Sequence, residues 1–189
     1  RSLHRERRRK AGAYQVALVG YTNAGKSTLL QQLTGAETPA ENKLFATLDP
    51  TSRAMKLPNG RDIVVSDTVG FIQRLPHDLV AAFRATLEEV NEADLIVHVV
   101  DGSSPQRDRR IEVVNRVLEE LGAHGKEQLL VFNKMDLAEG ELLGSAVPDL
   151  RMSAFREENV EALKRLIQEG LTGDARRFRI PAERGDLHA

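Results

Sequence analysis

The 189-residue chain contains no cysteine. Disulfides, thiolate catalysis and Cys-ligated zinc are therefore excluded, and a reducing, cytoplasmic setting is expected. It also lacks long apolar runs. The stretch Leu95–Val100 is interrupted by His98, and a bilayer-spanning helix needs about 20 residues, so no membrane span is expected. The basic N-terminus is not followed by the apolar segment of a signal peptide. Charge of either sign is not in excess: 27 Lys and Arg face 28 Asp and Glu, for a net charge of −1. That removes a bulk drive toward DNA or an anionic membrane, and leaves RNA contact to a local patch. No internal repeat is present, a monomer is expected, and a first residue that is Arg suggests an excised piece. What is present is an ordinary globular balance, 41% apolar and 29% charged, in a length that suits one compact α/β domain.

Residues 1–12, RSLHRERRRKAG, form a charge run that reads either as a solvated linker or helix end, or as an RNA-contacting arm. A domain is expected over residues 13–172, and residues 173–189, with Arg176, Arg177 and Pro181, read as the start of a truncated C-terminal segment. Val16–Val19 is a buried-strand run ending at Gly20, and an apolar helical stretch follows through Leu29, Leu30 and Leu33. Residues 35–52 carry Pro39 and Pro50 and read as a loop. Arg53–Leu57 and Ile63–Val65 flank an Asn-Gly turn, which predicts an antiparallel hairpin. Residues 78–90 have helical apolar spacing. Strands at Leu95–Val100, Gln128–Phe132 and Leu150–Met152 then alternate with helices over 106–121 and Val160–Ile167, with a loop at 137–148. The alternation predicts an α/β fold: a mainly parallel six-stranded sheet with one antiparallel strand and helices on both faces.

Residues 20–27 read GYTNAGKS, which satisfies G-x-x-x-x-G-K-[ST] with a strand before it and a helix after it. A triphosphate needs many donors close together, and backbone N–H groups supply them when the chain wraps tightly, as Gly20 and Gly25 permit. Tyr21, Thr22, Asn23, Ala24 and Thr28 belong to the same cradle. The following helix presents its free N–H groups and its dipole to the anion. Lys26 is expected at the β- and γ-phosphates and the Ser27 hydroxyl on Mg2+. Asp67-Thr68-Val69-Gly70 ends the second hairpin strand. There Asp67 would hold the ion through a water, and the side-chain-free Gly70 would bring its N–H to the γ-phosphate.

Asn133-Lys134-Met135-Asp136 closes another strand. Guanine offers N1–H and N2–H2 on one edge, and a carboxylate such as Asp136 accepts from both. Adenine has an acceptor at N1 and no C2 amino group, so the same acid would be left unsatisfied, a mismatch able to give discrimination on the order of 10⁴. The tetrad therefore argues against an ATP-driven motor or kinase and for GTP and GDP. Asn133 would tie the loop to the phosphate cradle and touch base N7, and the stem of Lys134 would cover the base face. Ser153-Ala154, followed by Phe155, would offer a backbone N–H to guanine O6.

In this order the elements resemble the translation-factor-related branch of P-loop GTPases. The strings GYTNAGKST at 20–28, LFATLDPTSR at 44–53, DTVGF at 67–71 and LPHDLVAAF at 75–83 resemble the HflX family of ribosome-associated GTPases, over about residues 14–170. The resemblance implies a GTPase that binds the large ribosomal subunit and splits or rescues stalled ribosomes under stress, with the family's N-terminal domain and helical linker missing. It implies a first switch over residues 36–52, with Phe45, Ala46, Thr47, Leu48 and Asp49 at the nucleotide. Thr47 would meet Mg2+ and the γ-phosphate, with Thr51 the alternative. The second switch would be residues 68–78.

Ras-like GTPases place Gln after D-x-x-G to orient the attacking water. This chain has Phe71 there, so slow intrinsic hydrolysis is expected unless another group completes the site. Asn23 matches the Asn that ligates K+ in related potassium-dependent GTPases, and it reads equally as an Asx-turn residue. The expected catalytic set is thus Lys26, Thr47, Gly70 and Asn23, with the ribosome as a second means of ordering the switches. Arg74 and His77 read as surface or partner residues, with direct assistance from His77 the sharper alternative. Asp101 reads as part of a helix cap region and Arg107–Arg110 as a solvated helix face. Two other functions remain open: a GTP-gated binding module with negligible hydrolysis without its partner, and a related GTPase of tRNA modification or ribosome assembly.

Overall fold

The computed structural model describes residues 14–35, 51–68, 70, 88–123, 125–139 and 149–172. Its elements are β1 (Tyr14–Gly20), α1 (Lys26–Thr34), β2 (Thr51–Lys56), β3 (Asp62–Asp67), β4 (Leu95–Asp101), α2 (Arg107–Glu120), β5 (Gln128–Asn133), β6 (Asp149–Arg151) and α3 (Glu157–Thr172), with a 3-10 turn at Met135–Leu137. The sheet order is β2-β3-β1-β4-β5-β6. β2 runs antiparallel to β3 and every other pairing is parallel, as the alternation of strand and helix patterns predicts.

Both faces of the sheet are covered, because alternate side chains of each central strand leave in opposite directions. Val16 and Leu18 of β1, with Leu95, Val97 and Val99 of β4, pack with Leu29, Leu30 and Leu33 of α1 and Val160, Leu163 and Ile167 of α3. Ala17, Val19 and Ile96 face the other way, onto Val114 and Leu118 of α2 and Val90. Val90 belongs to the helical residues 88–92, the described end of the helix expected over 78–90. Continuous apolar strands are the mark of a sheet buried on both faces.

The β2–β3 hairpin closes where Asn-Gly predicts it. Leu57 N–H donates to Arg61 O at 2.9 Å, and the Asn59 carboxamide accepts from Arg61 N–H at 3.1 Å. Strands are longer than the apolar runs, because backbone pairing continues past the last buried side chain. β3 reaches Asp67 rather than Val65, β5 reaches Asn133 rather than Phe132, and β6 is shifted one residue N-terminally. These extensions matter, since they carry Asp67, Asp101 and Asn133 to the same edge of the sheet, where the parallel strands end.

Candidate functional site

The loop between β1 and α1 wraps around the N-terminus of α1. Gly25 precedes the helix with φ 95° and makes no side-chain cap, as suits a helix N-terminus that receives an anion. A β-carbon at Gly25 would also stand 2.5 Å from Asn133 Nδ2. Only glycine meets both demands. Asn23 has φ 61° and an exposed side chain. No hydrogen bond from its carboxamide is found among the described residues, so the Asx-turn reading gains no support there.

Lys26, in the first turn of α1, is 6% exposed, and Asp67, at the end of β3, is 1% exposed. Burial pushes the Lys26 pKa below its usual value, and the Asp67 carboxylate pushes it back up. The Ser27 hydroxyl donates to Asp67 Oδ2 at 2.8 Å. Two hard oxygen donors thus meet beside the cradle. Among the described residues no group of three or more His, Cys, Asp or Glu forms a protein-only metal cage. One carboxylate and one hydroxyl, with the rest of the shell from phosphate and water, is the donor set Mg2+ takes in nucleotide sites, so these residues fit the ion.

Thr68 donates its hydroxyl to Leu18 O at 2.7 Å. Its side chain therefore clamps the segment after β3 to β1, and only its backbone is left for a nucleotide. Gly70 is buried against the phosphate loop. Thr22 is also buried, and its hydroxyl has no hydrogen-bond partner among the described residues.

Asn133 joins three segments. Its Nδ2 donates to Ala24 O at 3.3 Å, and its Oδ1 accepts from Ala154 N–H at 3.1 Å. The expected tie to the phosphate loop is present. Of the Ser153-Ala154 pair expected to offer a backbone N–H to guanine O6, the Ala154 N–H is directed at Asn133 here. Met135 N–H donates to Met152 O at 3.1 Å, which fastens the base loop to the end of β6. Asp136 lies exposed in the 3-10 turn. Ser153 N–H donates to Asn159 Oδ1 at 3.0 Å, and its hydroxyl accepts from Phe155 N–H at 3.4 Å. Leu137 and Phe155, 66% and 78% exposed, follow Asp136 and Ala154 directly in sequence.

Thr28 continues the first turn of α1 and Tyr21 and Ala24 complete the phosphate loop. Phe45, Ala46, Thr47, Leu48, Asp49, Val69, Phe71, Arg74 and His77 lie outside the described residues. Of Thr51, the alternative to Thr47, the structure gives the backbone, at the start of β2 opposite Asp67.

Two sequence readings are corrected. The N-cap of α2 is Gln106, with no side-chain cap, so Asp101 does not cap that helix. Its Oδ1 instead accepts from Ser103 N–H at 3.0 Å and from the Ser103 hydroxyl at 2.5 Å, and its Oδ2 lies 3.4 Å from Lys134 Nζ. Nor is the basic cluster only a solvated face. Arg110 stacks 4.8 Å from the Tyr21 ring centroid, and Arg107 donates to Gly102 O at 3.3 Å. The Lys134 partner of Asp101 and the Tyr21 partner of Arg110 lie far away in sequence, where no spacing rule connects them. His98, an interruption in an apolar strand by sequence, is 2% exposed behind the phosphate loop, where it shares a small cavity with Tyr21, Thr22 and Asp101. Burial first, and then the Lys26 charge, push its pKa down to about 3.

A mainly parallel sheet whose strand ends carry the loop GYTNAGKS, the Ser27–Asp67 contact and the tetrad NKMD has the architecture of the G domain of a P-loop GTPase. A family model described as a 50S ribosome-binding GTPase matches residues 15–134. The GTPase HflX of Alkalihalophilus pseudofirmus is 50% identical over 192 residues, covering 100% of this chain and 45% of the relative. The chain belongs to the 50S ribosome-binding GTPases and, within them, to the HflX family. It spans less than half the length of the curated relatives it matches. Among solved structures, a GTP-binding protein from Sulfolobus solfataricus in complex with GDP is 29% identical with a TM-score of 0.65, covering 92% of this chain and 57% of that one. Era in complex with MgGDPNP and a segment of 16S ribosomal RNA is 25% identical with a TM-score of 0.69, covering 84% and 56%. No helix among the described residues is long and apolar enough to cross a membrane.

Proposed function

We propose that this chain is the nucleotide-driven unit of an HflX-type GTPase, which binds GTP with Mg2+, hydrolyses it to GDP and phosphate, and acts in the cytoplasm on the large ribosomal subunit to split or rescue stalled ribosomes. The observation that carries the nucleotide half is Asn133. By bonding to Ala24 and Ala154, it holds the phosphate cradle and the base loop in one rigid frame, so a ligand must satisfy both ends together. Asp136 then selects guanine, for its acceptor oxygens match only a base edge with two donors.

Lys26 and the leading N–H groups of α1 neutralise the phosphate tail. Buried as it is, the Lys26 charge acts in a low-dielectric setting where it counts for more than in water. An incoming phosphate anion favours its protonated form. Ser27 and Asp67 are the ligands we assign to Mg2+, Asp67 through a water, with Thr47 joining from the first switch. Held there, Mg2+ would supply Lewis-acid stabilisation of the negative charge that develops on the leaving GDP. Gly70 N–H turns toward the γ-phosphate, and Asn23 is the residue we assign to a K+ ion that completes charge stabilisation. Phe71 has no group able to orient water, so the unassisted rate is slow and the ribosome supplies the ordering of the switches.

The test is single-turnover GTP hydrolysis in KCl and in NaCl at equal ionic strength, each with and without large ribosomal subunits. Expected are a faster rate in KCl and a further stimulation by the subunit. Equal rates in both salts remove the K+ assignment, and no effect of the subunit removes the ribosomal one. ATP competing with labelled GDP as well as GTP does overturns the guanine assignment itself.

A further inference from the structure

Lys134 is held at both ends. Its backbone has φ 59°, a conformation that a residue with a side chain keeps only when its surroundings impose it. Those surroundings are visible: Gly102 N–H donates to Asn133 O at 2.8 Å, and Leu137 N–H donates to Lys134 O at 3.0 Å. At its far end the ammonium donates to Asn23 O of the phosphate loop at 3.0 Å and meets Asp101 Oδ2 at 3.4 Å. Asp101 cannot swing away, because its other oxygen is fixed by both the backbone and the hydroxyl of Ser103. The pair is only 24% and 16% exposed at the side chains, so solvent screens it incompletely.

We propose that Asp101 is a positioning residue for guanine-nucleotide binding: it holds the Lys134 ammonium on the phosphate loop, so that the lysine stem already forms one wall of the base site before nucleotide arrives. The proposal rests on the reading of Lys134 as the residue that covers the base. A free lysine loses its rotamer freedom when a ligand docks against it, and that loss weakens binding. The Asp101–Ser103 anchor takes the loss during folding. Asp101 touches no nucleotide atom itself. It acts through Lys134, and its effect vanishes when that ammonium is gone.

That dependence is the test. GDP dissociation constants and dissociation rates are measured for the whole 189-residue chain and for Asp101→Asn, Lys134→Met and the double variant. Asparagine keeps an oxygen for Ser103 but loses the charge, and methionine keeps an apolar stem without the ammonium. Asp101→Asn is expected to release GDP about 10-fold faster in the wild-type background, the scale of one charge-assisted contact, and within about twofold of its parent in the Lys134→Met background. The same loss in both backgrounds, or no loss in the first, overturns the proposal. Ser103→Ala, which removes one donor and leaves both charges, is a gentler second probe. It is expected to speed release about threefold with Lys134 present and not with Met in its place, and equal effects overturn the proposal again. GDP and ADP binding to the wild-type chain is read in the same assay. Absence of a GDP preference there is failure of the guanine reading, a different result from a cycle without coupling.

Discussion

A β-carbon placed on Gly70 would stand 2.7 Å from the α-carbon of Thr22. Residue 70 thus lies against the main chain of Thr22 in the loop between β1 and α1, and the atoms it would meet, the Thr22 α-carbon, β-carbon and N, are not the far end of a flexible side chain that could give way. Gly70→Ala must push residue 70 outward, away from the place where its N–H would meet a γ-phosphate. Expected is a fall of about 100-fold in single-turnover GTP hydrolysis, the scale of losing one oriented donor in a transition state. GDP binding lacks that contact and changes by no more than about threefold. Both are read from one preparation, and an unaltered hydrolysis rate defeats the assignment of Gly70.

Lys26 and Asp67 are buried together, at 6% and 1% exposure. Burial pushes the lysine pKa down, and the Asp67 carboxylate pushes it back up. Lys26→Met keeps the volume and removes the charge, which leaves the buried carboxylate without its cationic neighbour, and such a one-sided loss destabilises. The nucleotide-free variant is therefore expected to melt below the wild-type temperature while binding GTP and GDP about 100-fold more weakly. Differential scanning fluorimetry and equilibrium binding check the two halves. A variant with wild-type stability and normal affinity contradicts both.

Asp136 is exposed and joined to a turn rather than buried in the core, so its replacement leaves the fold alone. Asp136→Asn puts a carboxamide, with a donor on one side, against the two donors of guanine. The preference for GDP over ADP is expected to fall on the order of 100-fold, with the melting temperature unchanged. Competition binding measures the ratio directly, and a retained preference places base recognition elsewhere.

His98 makes stability depend on pH. It is neutral in the folded chain down to about pH 3, whereas in the unfolded chain it takes a proton near pH 6.5. Below pH 6.5 the unfolded state therefore binds more protons, and stability falls as pH falls through the window from 6.5 to 3. The contribution is about 2 kcal/mol between pH 7 and pH 5. His98→Leu removes it, so urea midpoints of wild type and variant should draw apart by that amount across the window. Parallel curves would show that His98 titrates alike in both states.

Much of the site was legible in the chain because its chemistry is local. GYTNAGKS at 20–27 and NKMD at 133–136 each place a turn, an anion receptor or an acceptor within a few residues, and the strand or helix on either side shows as an apolar period. The antiparallel hairpin was legible for the same reason, since Asn59-Gly60 encodes the turn. Asp101 was not: a strand-terminal acid five residues before a helix looks like a cap. Its contact with Ser103 is a local turn two residues on, but its partner Lys134 is reached only once β4 and β5 lie side by side. The Thr68 hydroxyl bond to Leu18 O, fifty residues away, is likewise set by the pairing of β1 with β3.

The order of residues by itself determined the class of ligand, because donors and acceptors are properties of side chains and short loops. It also determined the alternation of strand and helix that yields a parallel sheet. Only the folded arrangement decided how the halves of the site are joined: Asn133 against Gly25 and Ala24, Gly70 against Thr22, and Asp101 on Lys134. Such contacts depend on the register of neighbouring strands and on distances of a few tenths of an ångström. Those are settled by packing the whole core, and no local pattern carries them.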